Sequence, residues 1–160
     1  MNYKNESIIS VGLVQMACST DADKNLKTAV DSIRSASKQG AQIICLPELF
    51  LTQYFCQTED AKNFSLAEPL PGPTSEILSR LAKELQVVLI VPLFEKRTEG
   101  IYHNTAIIID VDGSLAGKYR KMHIPDDPSF FEKFYFTPGD TGFKSFPTRY
   151  GKVGVLICWD

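Results

Sequence analysis

The chain has 160 residues, enough for one domain that buries roughly 70% of the surface its unfolded form exposes. A hydrophobic fraction of 44%, a charged fraction of 22% and a net charge of −2 with both signs interspersed fit a globular protein. They leave no basic patch for nucleic acid or an anionic membrane. The longest apolar run, Val87 to Phe94, contains Pro92 and falls far short of the about 18 residues a membrane-crossing helix needs.

Met1 to Ser10 is polar and lacks the apolar stretch and cleavage site of a signal peptide, so a cytoplasmic location is expected. Ile8 to Ala17 is rich in β-branched residues and reads as a buried first strand. From Asp23 to Gln39, Leu26, Ala29, Val30, Ile33 and Ala36 recur at helical spacing, and Gly40 supplies a stop. Ile43 to Leu46 reads as a second strand, ended by Pro47. Strand, helix and strand joined by short connections form a βαβ unit, which makes the two strands parallel.

Gln53 to Pro73 carries three prolines and no sustained period, and reads as a loop. Thr74 or Ser75 is expected to cap a second helix reaching Gln86, with Ile77, Leu78, Leu81 and Leu85 inward. Val87 to Phe94 is the next strand. Tyr102 to Val111 and Leu115 to Arg120 flank Asp112-Gly113, a strong hairpin signal. Ile124 to Gly142 is irregular, and Val153 to Cys158 reads as a final buried strand. Alternating strands and helices followed by a hairpin predict a layered α/β fold in one domain, without repeats or linkers.

Four irregularly spaced cysteines (Cys18, Cys45, Cys56, Cys158) and two histidines (His103, His123) match neither a disulfide framework nor a zinc-site spacing. Reduced thiols are expected, with Cys18, Cys45 and Cys56 structural.

Three apolar strands each end on a reactive residue: Glu48 after Ile43 to Pro47, Lys121 after Leu115 to Arg120, and Cys158 after Val153 to Ile157. In open α/β sheets, sites form at the carboxyl ends of strands. A thiol of pKa about 8.5 needs activation at neutral pH. Glu48 can take its proton, Lys121 can favour the thiolate and the later oxyanion, and the Trp159 N–H stands where an oxyanion donor is expected. Taken singly, each residue has an ordinary reading: a buried cysteine, a solvated lysine, a glutamate opening the next segment. A rival pairing joins Cys158 to His103 or His123.

Leu46-Pro47-Glu48-Leu49-Phe50, Tyr119 to Pro125 (YRKMHIP) and Gly154 to Asp160 (GVLICWD) resemble the three signature blocks of the nitrilase superfamily, in the family's order. Met122 to Gly142 is similar to the N-carbamoylputrescine amidase branch of that superfamily. The resemblance implies an αββα sandwich, here incomplete, with residues 1–160 forming the N-terminal portion of one carbon–nitrogen hydrolase domain. It implies a Glu48–Lys121–Cys158 triad with Glu132 as a supporting glutamate, and no metal or organic cofactor. The implied substrate is a carbamoyl-amine, N-carbamoylputrescine, hydrolysed to putrescine, carbon dioxide and ammonia by a homo-oligomer.

Within that resemblance Tyr54 is expected to line the pocket and His123 to neighbour the substrate. Asp126 and Asp127 are candidates to meet a cationic amine. Phe130, Phe131, Phe134, Tyr135 and Phe136 are candidates to wall its carbon chain. Sibling specificities (ω-amidase, β-ureidopropionase, aliphatic amidase) and a non-catalytic relative are the alternatives. A last strand followed only by Trp159 and Asp160 looks unfinished, so the natural chain is expected to continue.

Overall fold

Local signals set the helix boundaries. The Asp21 side chain accepts a hydrogen bond from the Lys24 N–H at 3.1 Å and caps α1, Ala22–Lys38. The second helix, α2, spans Pro73–Leu85. Its N-cap is Gly72, not Thr74 or Ser75 as expected: Pro73 takes the first helical position, and the Ser75 hydroxyl closes the turn by accepting from the Gly72 N–H at 2.8 Å. The structure, a computed structural model, describes residues 8–160. Met1 to Ser7, most of the stretch scanned above for a targeting signal, lie outside the described residues.

Strands β1 (Val11–Leu13), β2 (Ile43–Cys45), β3 (Val88–Thr98), β4 (Ile101–Ile109) and β5 (Leu115–Arg120) form one sheet in that order. The first three are parallel and the last two antiparallel. The expected βαβ unit and the hairpin at Asp112-Gly113 are both present, with Gly113 at φ 83°. Helices α1 and α2 cover one face, and Ala29, Ile33, Leu78 and Leu81 pack there on Ile44, Leu89, Val91 and Ile107.

Two strand expectations need correction. The first strand is three residues long and lies at the sheet edge, with Val11 and Leu13 exposed, so its apolar character does not reflect burial among the described residues. The segment before Cys158 does not join the main sheet. Instead β9, Gly151–Gly154, pairs with β8, Ser145–Thr148, as a separate ribbon, and Val155 to Cys158 leave it without strand pairing.

That ribbon lies on the sheet's second face, where Phe146, Val153, Val155 and Ile157 pack on Val88, Ile90, Ala106, Ile108 and Tyr119. Phe146 sits so close to β5 that a Cβ on Gly117 would stand 2.2 Å from its ring, so only glycine fits there. The loop 53–73 contains two 3₁₀ turns, Phe55–Gln57 and Ala61–Leu66. The irregular stretch holds β6 (Asp126–Asp127), β7 (Phe130–Phe131) and a single helical turn, α3 (Glu132–Tyr135).

Candidate active site

Glu48 lies in the turn directly after β2, beside Leu49 at φ 51°. That left-handed backbone is costly for a leucine and is held by the buried aromatic cluster of Phe55, Phe94, Tyr135 and Phe136 that receives its side chain. Lys121 follows β5 and is 1% exposed. Its ammonium donates to Glu132 Oε2 at 2.7 Å and to Glu48 Oε1 at 3.3 Å. Burial alone would push this amine toward neutrality. The hydrogen bond to Glu132 and the charge of Glu48 outweigh that, so the lysine stays above its ordinary pKa and is a fixed cation.

Glu132 is itself buried, on the first turn of α3, and its Oε1 accepts from the Tyr54 hydroxyl at 2.8 Å. Burial and this carboxylate push the Tyr54 phenol well above its usual range, so it acts as a donor. Glu48 keeps 28% of its side chain exposed, and the opening leads into a cavity of 360 Å³. Cys158 and Trp159 line the same cavity with Glu132, Tyr54, Asp127 and Phe130.

Cys158 is exposed and has φ 43°, a conformation a residue with a side chain keeps only when its surroundings enforce it. Asp160 does so. Its fully buried carboxylate accepts from the Ile157 N–H (3.1 Å) and the Tyr119 hydroxyl (2.7 Å) through Oδ2. Oδ1 accepts from the Met122 N–H (3.1 Å) and the His123 N–H (2.9 Å), and faces His123 Nδ1 at 2.9 Å. Burial pushes Asp160 upward, but these donors overcome it and hold the carboxyl below its ordinary range. The elbow bearing the thiol is thereby tied to the segment that follows Lys121.

Matching residues 10–160 to the family model for carbon-nitrogen hydrolases accounts for nearly the whole chain. The chain belongs to the carbon-nitrogen hydrolase family. It is 49% identical to the N-carbamoylputrescine amidase of Solanum lycopersicum, over 100% of this chain and 53% of that protein. It is 42% identical to the citrullinase of Francisella tularensis, over 95% and 53%. The crystal structure of a carbon-nitrogen hydrolase from Helicobacter pylori G27 superposes with a TM-score of 0.91 at 46% identity, covering 95% of this chain and 52% of that one. The chain thus spans about half the length of the relatives it matches, and its α/β architecture is that of the nitrilase-fold sandwich, incomplete.

Of the residues singled out in this carbon-nitrogen hydrolase, the fold gathers Glu48, Cys158, Glu132, Tyr54, Trp159 and Phe130 at one cavity, with Lys121 behind its wall. Asp127 lines the cavity, whereas its neighbour Asp126 does not. His123 does not line it either; its ring is engaged with Asp160. Phe131 and Phe134 are not among the lining residues, and Tyr135 and Phe136 belong to the buried cluster beside Leu49. His103 is buried with Nδ1 2.9 Å from the Thr137 carbonyl, and neither histidine of the rival Cys–His pairing is among the residues lining the cavity.

Sequence reasoning passed over two residues. Asp160 stood inside a quoted block but received no role. Asn104 is fully buried on β4, and its Nδ2 donates to Glu48 Oε1 at 2.7 Å, while its Oδ1 has no protein partner. A buried acceptor left so costs about 1–3 kcal/mol. The signal for Asn104 was present: His103-Asn104-Thr105 interrupts the apolar β4, and polar residues at buried strand positions need a reason.

Proposed function

We propose that the protein, at the length of its relatives, is a cysteine amidohydrolase acting on a carbamoyl-amine, with N-carbamoylputrescine as substrate, and that residues 1–160 are the N-terminal portion of its one hydrolase domain. The observation that carries this reading is the convergence of Glu48, Cys158 and Asp127 on one cavity, backed by a lysine buried between two carboxylates. Glu48 takes the Cys158 thiol proton, and the thiolate attacks the carbamoyl carbon. The oxyanion is stabilised by the Lys121 charge and the Trp159 N–H.

Ammonia leaves with the proton carried by Glu48, and a thioester-like carbamoyl group remains on the sulfur. Glu48 then deprotonates water, whose attack frees a carbamate that loses carbon dioxide to give putrescine. Asp127 meets the distal ammonium of the substrate, and Phe130 and Tyr54, with ring centroids 5.9 Å apart, flank its methylenes. The four cysteines are unpaired, which suits a reducing, cytoplasmic setting.

The deciding experiment measures ammonia release by the full-length protein from N-carbamoylputrescine, from carbamoyl substrates ending in carboxylate and from simple amides. Turnover of the amine substrate that disappears in Cys158→Ala, with a raised KM in Asp127→Asn for that substrate alone, supports the reading. Preference for a carboxylate-ended or neutral substrate overturns the assignment of Asp127, and no turnover of any of them overturns the enzyme.

A further inference from the structure

Glu48 Oε1 receives two donors, Asn104 Nδ2 at 2.7 Å and Lys121 Nζ at 3.3 Å. Among the described residues no protein donor reaches Oε2. One oxygen of the carboxylate is therefore anchored, and the other is left for the cavity that Cys158 shares. We infer that Asn104 is a positioning residue for the reaction: it fixes the rotation of the Glu48 carboxylate so that Oε2 faces the thiol and, later, the hydrolytic water.

Three features carry this. Asn104 is wholly buried, and its carboxamide is the nearer of the two donors to Glu48. Its Oδ1 is buried without a partner, an arrangement that persists because the reversed amide would set a carbonyl oxygen against the carboxylate. Its own backbone carbonyl accepts the Lys121 N–H at 2.9 Å. One residue of β4 therefore sets the carboxylate through its side chain and the lysine through its main chain. Asn104 does not line the cavity, so it touches neither substrate nor thiol and acts through Glu48 alone.

This inference rests on the reading of Glu48 as the base. It is tested in the full-length protein with Asn104→Leu, Glu48→Gln and the double variant. Two rates are measured per folded molecule: ammonia release, and alkylation of Cys158 by iodoacetamide. Misplacing a reacting group by about 1 Å costs on the order of 100-fold. The expected result for Asn104→Leu is a kcat lower by about 10-fold to 100-fold with KM within about 2-fold of the parent. The same substitution is expected to add nothing in the Glu48→Gln background, because its effect passes through that carboxylate.

Parent-like rates in Asn104→Leu, or a loss of equal size with and without Glu48, would overturn the inference. Where Asn104→Leu does not fold, Asn104→Ser, polar but too short to reach Glu48, completes the same cycle. Alkylation separates the two readings. If the parent releases no ammonia but Cys158 alkylation falls in Glu48→Gln and in Asn104→Leu without adding in the double variant, the positioning role stands and the proposed substrate falls.

Discussion

Arg120 and Lys121 are adjacent, both cationic, both buried, and each is held by two carboxylates, yet they belong to two different kinds of site. Arg120 makes hydrogen bonds to both oxygens of Glu95 at 2.7 Å and to Asp140 at 2.8 Å, and Glu95 also accepts from Thr105 and Lys118. Every strong acceptor there is filled, and Glu95 is 2% exposed. Lys121 sits between Glu48 and Glu132 one residue later, but Glu48 opens on a cavity with a thiol across it. The difference is saturation: the closed network has its acceptors filled, and the open one places both of Glu48's donors on Oε1.

The comparison can be broken from either side. Cys158→Ala removes the proposed nucleophile and is expected to abolish ammonia release, by about 1,000-fold or more, without altering the circular dichroism spectrum or the melting temperature. Lys121→Met is expected to lose activity as completely. It also leaves two carboxylates facing each other without their cation, so stability measured in denaturant should fall by about 3–5 kcal/mol. Arg120→Met should produce a similar loss of stability, while the molecules that remain folded keep a kcat within a few-fold of the parent. A kcat that collapses with Arg120 would erase the distinction drawn here.

A milder probe is acid. Burial pushes the Glu95 carboxyl upward, but Arg120, Thr105 and Lys118 pull it down to about 2, against an ordinary value of 4.5. A carboxylate with a depressed folded pKa contributes stability that is complete above the unfolded value and fades as pH falls toward the folded one. The protein should therefore lose roughly 3 kcal/mol between about pH 4.5 and pH 2 from this group, and Glu95→Gln should flatten that slope in urea titrations across the same window. The smallest effect is expected at the rim. Arg97 pairs with Asp140 at 2.6 Å, but both are nearly half exposed. Arg97→Ala should change stability by less than about 1 kcal/mol, and less still in high salt.

The sequence made the open site far more legible than the closed one. Glu48, Lys121 and Cys158 stand in recognisable blocks, and the periodicity of α1 and the Asp112-Gly113 turn located the elements carrying two of them. Glu95, Arg120 and Asp140 are spread over β3, β5 and a loop, and each alone is an ordinary charged residue; only the register of Thr105 with Arg120 brings the set together. The same limit explains Asn104. Its polarity inside β4 was visible, but its target lies 56 residues away on another element.

Val153 to Cys158 failed for a different reason. An apolar β-rich run has the same composition in the main sheet as in a ribbon lying on it, and pairing partners are not encoded in periodicity. Asp126 and Asp127 illustrate the finest grain: neighbours in a strand of two residues, of which one reaches the cavity wall.

The ribbon also governs how the thiol is aimed. Glu48 and Lys121 leave strands of one hydrogen-bonded sheet, so their spacing is locked by the β2–β3–β4–β5 ladder. Cys158 arrives from outside that ladder, and its distance from Glu48 is a packing distance, set by the Phe146 ring resting on Gly117 and by the Asp160 carboxylate gripping the loop after Lys121. The proposed nucleophile is thus mounted like an adjustable tool on a rigid bench. A single methyl group at Gly117, which lines no part of the cavity, would push the Phe146 ring away and is expected to shift the thiol against Glu48 while leaving Glu48, Lys121 and Glu132 in place.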